Sequence, residues 1–158
     1  IIQKASNSFD FIGLNYYSHN FLKFQLFGTP HIDVAFPENE IKTDMPYTMY
    51  AQGFYDAIES VSKLKKPIII TENGVADKDD KFRSEWITEY INQMGIALKN
   101  GIDIRGYFYW SLLDNYEWAE GYHMKFGLYE VDFTTQKRTL REGSKSFQKI
   151  INSGQVND

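Results

Sequence analysis

An α/β fold built on a parallel sheet is what this 158-residue chain predicts, from three observations. Ile68–Ile69–Ile70 is a run of β-branched aliphatics, the pattern of a strand buried on both faces. Strand-like and helix-like segments alternate along the chain, and strand twist makes the crossovers between them right-handed. Glu72 follows the aliphatic run where the strand must stop, because Asn73–Gly74 signals a turn. An acid at the C-terminal tip of a buried strand is where α/β barrels keep their chemistry. The plainer alternative is a carboxylate that caps a turn and faces water.

In chain order, Phe9–Tyr17 is a strand interrupted by Gly13, and it ends in polar groups. Asn15 and Tyr17 lie two residues apart, so they share a face of an extended chain. From His19 to Met45 no period holds, and Gly28, Pro30 and Pro37 suggest a long irregular loop of the kind that often carries function. Tyr47 to Lys65 reads as a helix: Tyr50, Phe54, Ala57, Ile58, Val61 and Leu64 recur at three- and four-residue steps. Pro46 lies near its start, and Lys63, Lys65 and Lys66 sit where the helix dipole favours cations. The strand Pro67–Thr71 follows. A second helix spans about Asp80 to Asn100, with Asp79 or Asp80 as cap and Gly101 as its stop. Its apolar stripe is Phe82, Trp86, Ile87, Tyr90, Ile91, Met94 and Leu98, which marks a core face, Trp86 included. Gly106–Trp110 is a third strand, Phe126–Phe133 leads into a small hairpin turned at Thr134–Gln136, and Ser144–Ile151 closes the chain as a short helix. Phe147, Ile150 and Ile151 point inward on that helix, and Gly154 ends it.

Composition excludes several functions. The formal charge of −4 provides no basic stripe to neutralise phosphates, so no nucleic-acid partner is expected. With no cysteine, neither a disulfide framework nor a thiolate metal site can form. No apolar run approaches membrane-spanning length, so no membrane partner is expected either. Ile1–Lys4 resembles neither a signal peptide nor an initiating methionine, and reads as the start of a piece. The compartment stays open, a soluble cytoplasmic setting being favoured. Aromatic content of 16% exceeds what a small core needs, and rings are the platforms on which sugars present their C–H faces.

Trp110 to Tyr122 is the second chemical stretch. It sets two tryptophans beside Asp114, Glu117 and Glu120 in a connecting loop, a composition that suits a hydroxyl-rich ligand. A tryptophan-anchored packing loop is the competing reading.

Four motifs, taken together, resemble glycoside hydrolase family 1, the β-glucosidase/β-glycosidase family of retaining enzymes on a (β/α)8 barrel. They are the Asp10–Tyr17 stretch DFIGLNYY, the Ile70–Gly74 stretch ITENG, the Trp110–Trp118 stretch WSLLDNYEW and the Phe126–Asp132 stretch FGLYEVD. The resemblance runs over nearly the whole chain and implies the C-terminal portion of the barrel, strands six to eight with their helices. Residues 1–158 are then one segment of a single barrel domain, incomplete without strands one to five. Carried over by residue, Glu72 is the nucleophile and Tyr17 the phenol that bonds it and keeps it ionised. Asn15 lies near the same strand end as a substrate-binding residue. Trp110 forms the floor under the sugar, while Glu117 and Trp118 bind its hydroxyls. A carboxylate at Glu117 repels a phosphate dianion, which implies plain glycosides over 6-phosphoglycosides. Retaining hydrolysis uses one carboxylate as nucleophile and one carboxylic acid at the leaving oxygen, and needs no metal or organic cofactor.

The family's acid/base glutamate belongs to an Asn-Glu-Pro motif, and that tripeptide does not occur in this sequence. The resemblance therefore implies a complementary N-terminal barrel fragment as partner, a β-glycoside as substrate, and an isolated chain with no measurable turnover. Two readings compete: a non-catalytic glycan- or protein-binding pseudo-glycosidase module, and a structural half-barrel that self-associates.

Overall fold

A computed structural model describes residues 8–24, 26–27 and 32–155. Ile1–Lys4, Gly28 and Pro30 lie outside the described residues. The parallel sheet is present and has the order β1–β4–β5, formed by β1 (Ile12–Asn15), β4 (Ile68–Asn73) and β5 (Ile104–Tyr109). Ile12 faces Ile68 and Leu14 faces Ile70 across one ladder; Ile70 faces Tyr107 across the other.

Two helices, α1 (Ala51–Ser62) and α2 (Arg83–Lys99), pack on each other and cover one face of this sheet. Phe54 and Ile58 from α1, Trp86, Ile87 and Tyr90 from α2, and Ile68 and Ile70 from β4 are fully buried together. Each such side chain contributes about 1.5–3 kcal/mol by leaving water. Trp86 is a core residue, stacked on Tyr90 at 3.8 Å. The strand reading of Ile68–Ile70 needs one correction. Ile69 is only half-buried, because the other sheet face, with Thr71 and Phe108, is exposed among the described residues. Phe108 is 62% exposed there.

Other expectations shift with identifiable causes. The first strand is shorter than Phe9–Tyr17, so Tyr17 lies just past its end. The segment from His19 to Met45 is not irregular throughout: β2 (Phe21–Phe24) and β3 (Ile32–Ala35) pair as an antiparallel ribbon. All four β2 residues are exposed, so no in/out alternation marked the strand in sequence. The first helix begins at Ala51 instead of Tyr47, since residues 43–50 are tied into turns and to Ile41.

The cap of α2 is neither Asp79 nor Asp80. The buried Asp77 carboxylate accepts the backbone N–H groups of Lys81, Phe82 and Arg83 at 3.1, 3.0 and 2.9 Å. Gly101 does stop α2, at φ 83°. Beyond β5, a short 3-10 turn (Trp118–Glu120) precedes the hairpin of β6 (Tyr129–Val131) and β7 (Arg138–Leu140). The closing helix α3 (Lys145–Ser153) ends at Gly154 as expected. Phe147 and Ile150 face the core, but Ile151 is exposed, and so is Leu98 on α2.

Candidate active site

The C-terminal ends of the three strands converge on a cavity of about 280 Å3 lined by Tyr17, Met45, Tyr47, Glu72, Trp110, Glu117, Trp118 and Phe126. Five of the six residues singled out from sequence meet here. Asn15 does not; it lines a neighbouring cavity of about 260 Å3 that shares Tyr17 and Tyr47 with the first. Its Oδ1 accepts the Thr71 hydroxyl at 2.6 Å, which turns it along the sheet surface and away from Glu72. A larger cavity of about 550 Å3, between α2 and α3, shares no residue with either.

Glu72 is still within β4, so the strand carries it directly into the cavity. The Asn73–Gly74 pair is not a turn. Asn73 is the last strand residue, fully buried, donating to Tyr16 O at 2.6 Å and accepting the Tyr107 hydroxyl at 2.9 Å. It thereby ties the ends of all three strands. Gly74 is required by close approach: a Cβ there would stand 1.7 Å from the Trp110 carbonyl oxygen. That packing sets the Trp110 backbone against the end of β4 and brings its ring into the cavity.

The hydroxyl of Tyr17 donates to Glu72 Oε2 at 2.8 Å. Burial first, then this hydrogen bond and the carboxylate's charge, push the Tyr17 pKa well above the ordinary tyrosine range. The phenol therefore stays protonated and remains a donor to the carboxylate. Tyr17 is itself positioned by α2, whose Tyr90 hydroxyl donates to Tyr17 O at 3.0 Å, and by ring contacts with Tyr47 and Phe126. Tyr47 is likewise raised, by burial and by neighbouring Tyr90 and Glu117. Its hydroxyl is buried with no hydrogen-bond partner among the described residues.

Buried charge fixes the loops that carry Trp110 and Glu117. Arg83, fully buried at the start of α2, donates to the carbonyls of Val75, Asp77, Lys125 and Phe126 and to the Tyr109 hydroxyl, at 2.7–3.2 Å. Asp114 accepts Gly127 N–H at 2.9 Å and pairs with Arg141 at 2.7 Å, fastening the loop after β5 to the hairpin. Glu117 bridges to Gly121 through its backbone, and Trp118 stands 82% exposed at the rim. Sequence reasoning missed Met45, Tyr47 and Phe126 as cavity residues. Phe126 lay within a recognised motif without a role; Tyr47 was absorbed into the helix pattern; Met45 carried no signal.

Ring faces, a carboxylate hydrogen-bonded by a phenol, and a second carboxylate make a cavity suited to a neutral, hydroxyl-rich ligand. Among the described residues, no cluster of three or more acidic or imidazole side chains could hold a metal ion. No described helix is long and apolar enough to cross a membrane.

Known proteins resemble this chain along most of its length. A sequence profile of the family described as "Glycosyl hydrolase family 1" matches residues 2–156. A 1,4-beta-D-glucan glucohydrolase of Thermotoga neapolitana is 34% identical over 99% of this chain and 38% of its own length. A beta-galactosidase of Pyrococcus woesei is 37% identical over 90% of the chain and 31% of its own length. Among solved structures, a beta-glycosidase from Pyrococcus horikoshii superposes with a TM-score of 0.83 at 38% identity, covering 94% of this chain and 36% of that one. The chain thus spans about a third of the length of the curated relatives it matches.

Proposed function

The chain belongs to glycosyl hydrolase family 1 and has the fold of the corresponding part of its (β/α)8 barrel; on that premise we propose that it supplies the nucleophile side of a retaining β-glycosidase. The observation that carries this reading is the 2.8 Å hydrogen bond from Tyr17 to Glu72 inside a cavity walled by Trp110, Glu117 and Trp118. A sugar rests its apolar face on the Trp110 indole, and Glu117 and Trp118 take its hydroxyls. Glu72, aimed by the Tyr17 hydroxyl, attacks the anomeric carbon as the leaving oxygen departs, forming a glycosyl-enzyme. Water then releases the sugar, with the opposing carboxyl group acting first as acid and then as base.

The opposing group must stand about 5–5.5 Å from the nucleophile in a retaining site. Glu117 is assigned to sugar binding, so the acid/base comes from a complementary N-terminal part of the barrel bearing the Asn-Glu-Pro motif. That part also covers the exposed sheet face with Thr71 and Phe108 and pairs the open edges of β1 and β5. Residues 1–158 are accordingly one segment of a single barrel domain, and this segment alone hydrolyses nothing measurable. Glu117 beside the glycon selects plain glycosides over 6-phosphoglycosides.

Labelling of the complemented protein with 2,4-dinitrophenyl 2-deoxy-2-fluoro-β-glucoside tests the assignment, because its leaving group departs without acid assistance. A covalent sugar mass on the peptide containing Glu72 is expected, and none in Glu72→Gln. A sugar that binds without forming an adduct would refute the nucleophile role and favour the non-catalytic glycan-binding module.

A further inference from the structure

Glu72 is placed by a strand, but Tyr17, which bonds it, lies past the end of one. β1 stops at Asn15, and a backbone bond from Tyr16 N–H to the Glu72 carbonyl, at 3.0 Å, joins the following residue to β4. We propose that two buried side chains, Asn73 and Tyr90, take over beyond that point as positioning residues that aim the Tyr17 hydroxyl at Glu72; this rests on the nucleophile role proposed for Glu72.

The peptide groups on either side of the Tyr17 α-carbon each accept one side-chain donor. Asn73 Nδ2 donates to the Tyr16 carbonyl at 2.6 Å, and the Tyr90 hydroxyl donates to the Tyr17 carbonyl at 3.0 Å. Asn73 follows Glu72 directly on β4, so the carboxylate and the phenol take their positions from adjacent residues of one strand. Both donors are fully buried, and neither is free to swing. The Tyr107 hydroxyl donates to Asn73 Oδ1 at 2.9 Å. Tyr50 N–H donates to the Tyr90 hydroxyl at 2.9 Å, and the Tyr90 ring is stacked on Trp86 at 3.8 Å.

With both flanking peptides pinned, the direction in which the Tyr17 ring leaves the backbone is set. That ring is a long lever, and a reactive constellation tolerates errors of only about 0.5 Å and 10–20°. A backbone tilt of that order carries the hydroxyl out of its 2.8 Å bond to Glu72. Contacts with the Tyr47 and Phe126 rings confine the Tyr17 ring from its sides without fixing its reach. The need of buried polar groups for partners explains why each donor has an acceptor. It does not explain why both acceptors flank the residue that bonds Glu72.

The test is a double-mutant cycle on the complemented protein, read as the rate of covalent labelling by 2,4-dinitrophenyl 2-deoxy-2-fluoro-β-glucoside. Tyr90→Phe lowers the limiting labelling rate about tenfold when Tyr17 is present. In a Tyr17→Phe background, where no hydroxyl is left to aim, the same change costs less than about twofold. The half-saturation concentration of the inhibitor stays within about twofold, because no sugar contact is removed. Tyr107→Phe, which loosens Asn73 instead, follows the same pattern with a loss of about threefold; should Tyr90→Phe fail to fold, this second cycle decides. Ile87→Val, fully buried on the same helix, lowers the thermal midpoint and leaves labelling within about twofold. Equal losses in both backgrounds, no loss with Tyr17 present, or a loss in Ile87→Val as large as in Tyr90→Phe would overturn the positioning role. A wild type that takes no label at Glu72 would instead overturn the nucleophile reading, and the aiming role with it.

Discussion

The loops that follow β4 and β5 are held from within by buried charge, whereas the excursion that follows β1 is held at its base by a histidine and leaves most of its described apolar side chains exposed. On the first side, one guanidinium grips four backbone carbonyls and an aspartate–arginine pair locks the loop bearing Glu117 to the hairpin. On the second, His19, Glu40 and Thr48 form a three-membered knot. Beyond it Leu22, Phe24, Leu26 and Phe27 are exposed. The difference follows the chemistry proposed for the first side: a nucleophile and a sugar floor need sub-ångström placement, which buried, directional bonds supply.

The largest expected effect tests the rigid side. Arg83→Met strips the partner from four buried carbonyls and should cost about 3–5 kcal/mol, read as a drop in thermal midpoint. A cost no larger than that of a change in the β1 excursion would break the contrast. Alkali should act next, through the tyrosines packed between the two sides. Burial raises the pKa values of Tyr16, Tyr17, Tyr47, Tyr90 and Tyr107 above the ordinary 10.0. A phenol held neutral in the fold stabilises fully below its unfolded pKa. That contribution falls as pH rises above it, because the unfolded chain then releases protons that the fold retains. The thermal midpoint should therefore decline above about pH 10, with these five phenols ionising only as unfolding proceeds.

On the looser side, His19→Ala removes one hydrogen bond to Glu40 and a stacked ring while Thr48 still serves the carboxylate, so about 1 kcal/mol is expected in denaturant unfolding. The smallest effect sharpens the comparison at the ridge between the cavities. Tyr47→Phe deletes a buried hydroxyl that has no partner among the described residues, so stability should hold or rise by up to about 1 kcal/mol. A clear loss would mean that this hydroxyl carries a bond in the complete protein.

Much of this arrangement was legible in the sequence because its signals are local. Three-residue aliphatic runs, helical stripes and a glycine stop are properties of neighbours along the chain, and Phe54, Trp86, Ile70 and Gly101 fell where they pointed. The motif residues Tyr17, Glu72, Trp110, Glu117 and Trp118 were named through the resemblance to a family, and they line one cavity. What escaped depends on contacts across the fold. An arginine at a helix start reads as a solvated cation, and only the carbonyls at 75, 77, 125 and 126 show it to be a core residue. Asp79 and Asp80 stand nearest the helix start and read as its cap, and only the fold shows the buried Asp77 taking that part. The ribbon's strand β2 turns all its side chains to solvent, so it lacked the alternation by which strands announce themselves. Asn15 shared a face with Tyr17 as expected, yet the Thr71 hydroxyl drew it out of the Glu72 cavity.

The grip of Arg83 on Val75 and Asp77 at one end, and on Lys125 and Phe126 at the other, has a consequence for engineering. The stem from which the 116–124 segment grows is closed without it: Ser111 N–H donates to the Phe126 carbonyl at 3.3 Å, Arg83 holds Lys125 and Phe126, and Asp114 is fastened to Gly127 and Arg141. On the proposed glycosidase reading, that stretch can be treated as an exchangeable cassette: transplanting versions of different length or composition onto this stem should retune which ligands are accepted while Glu72 stays where it is.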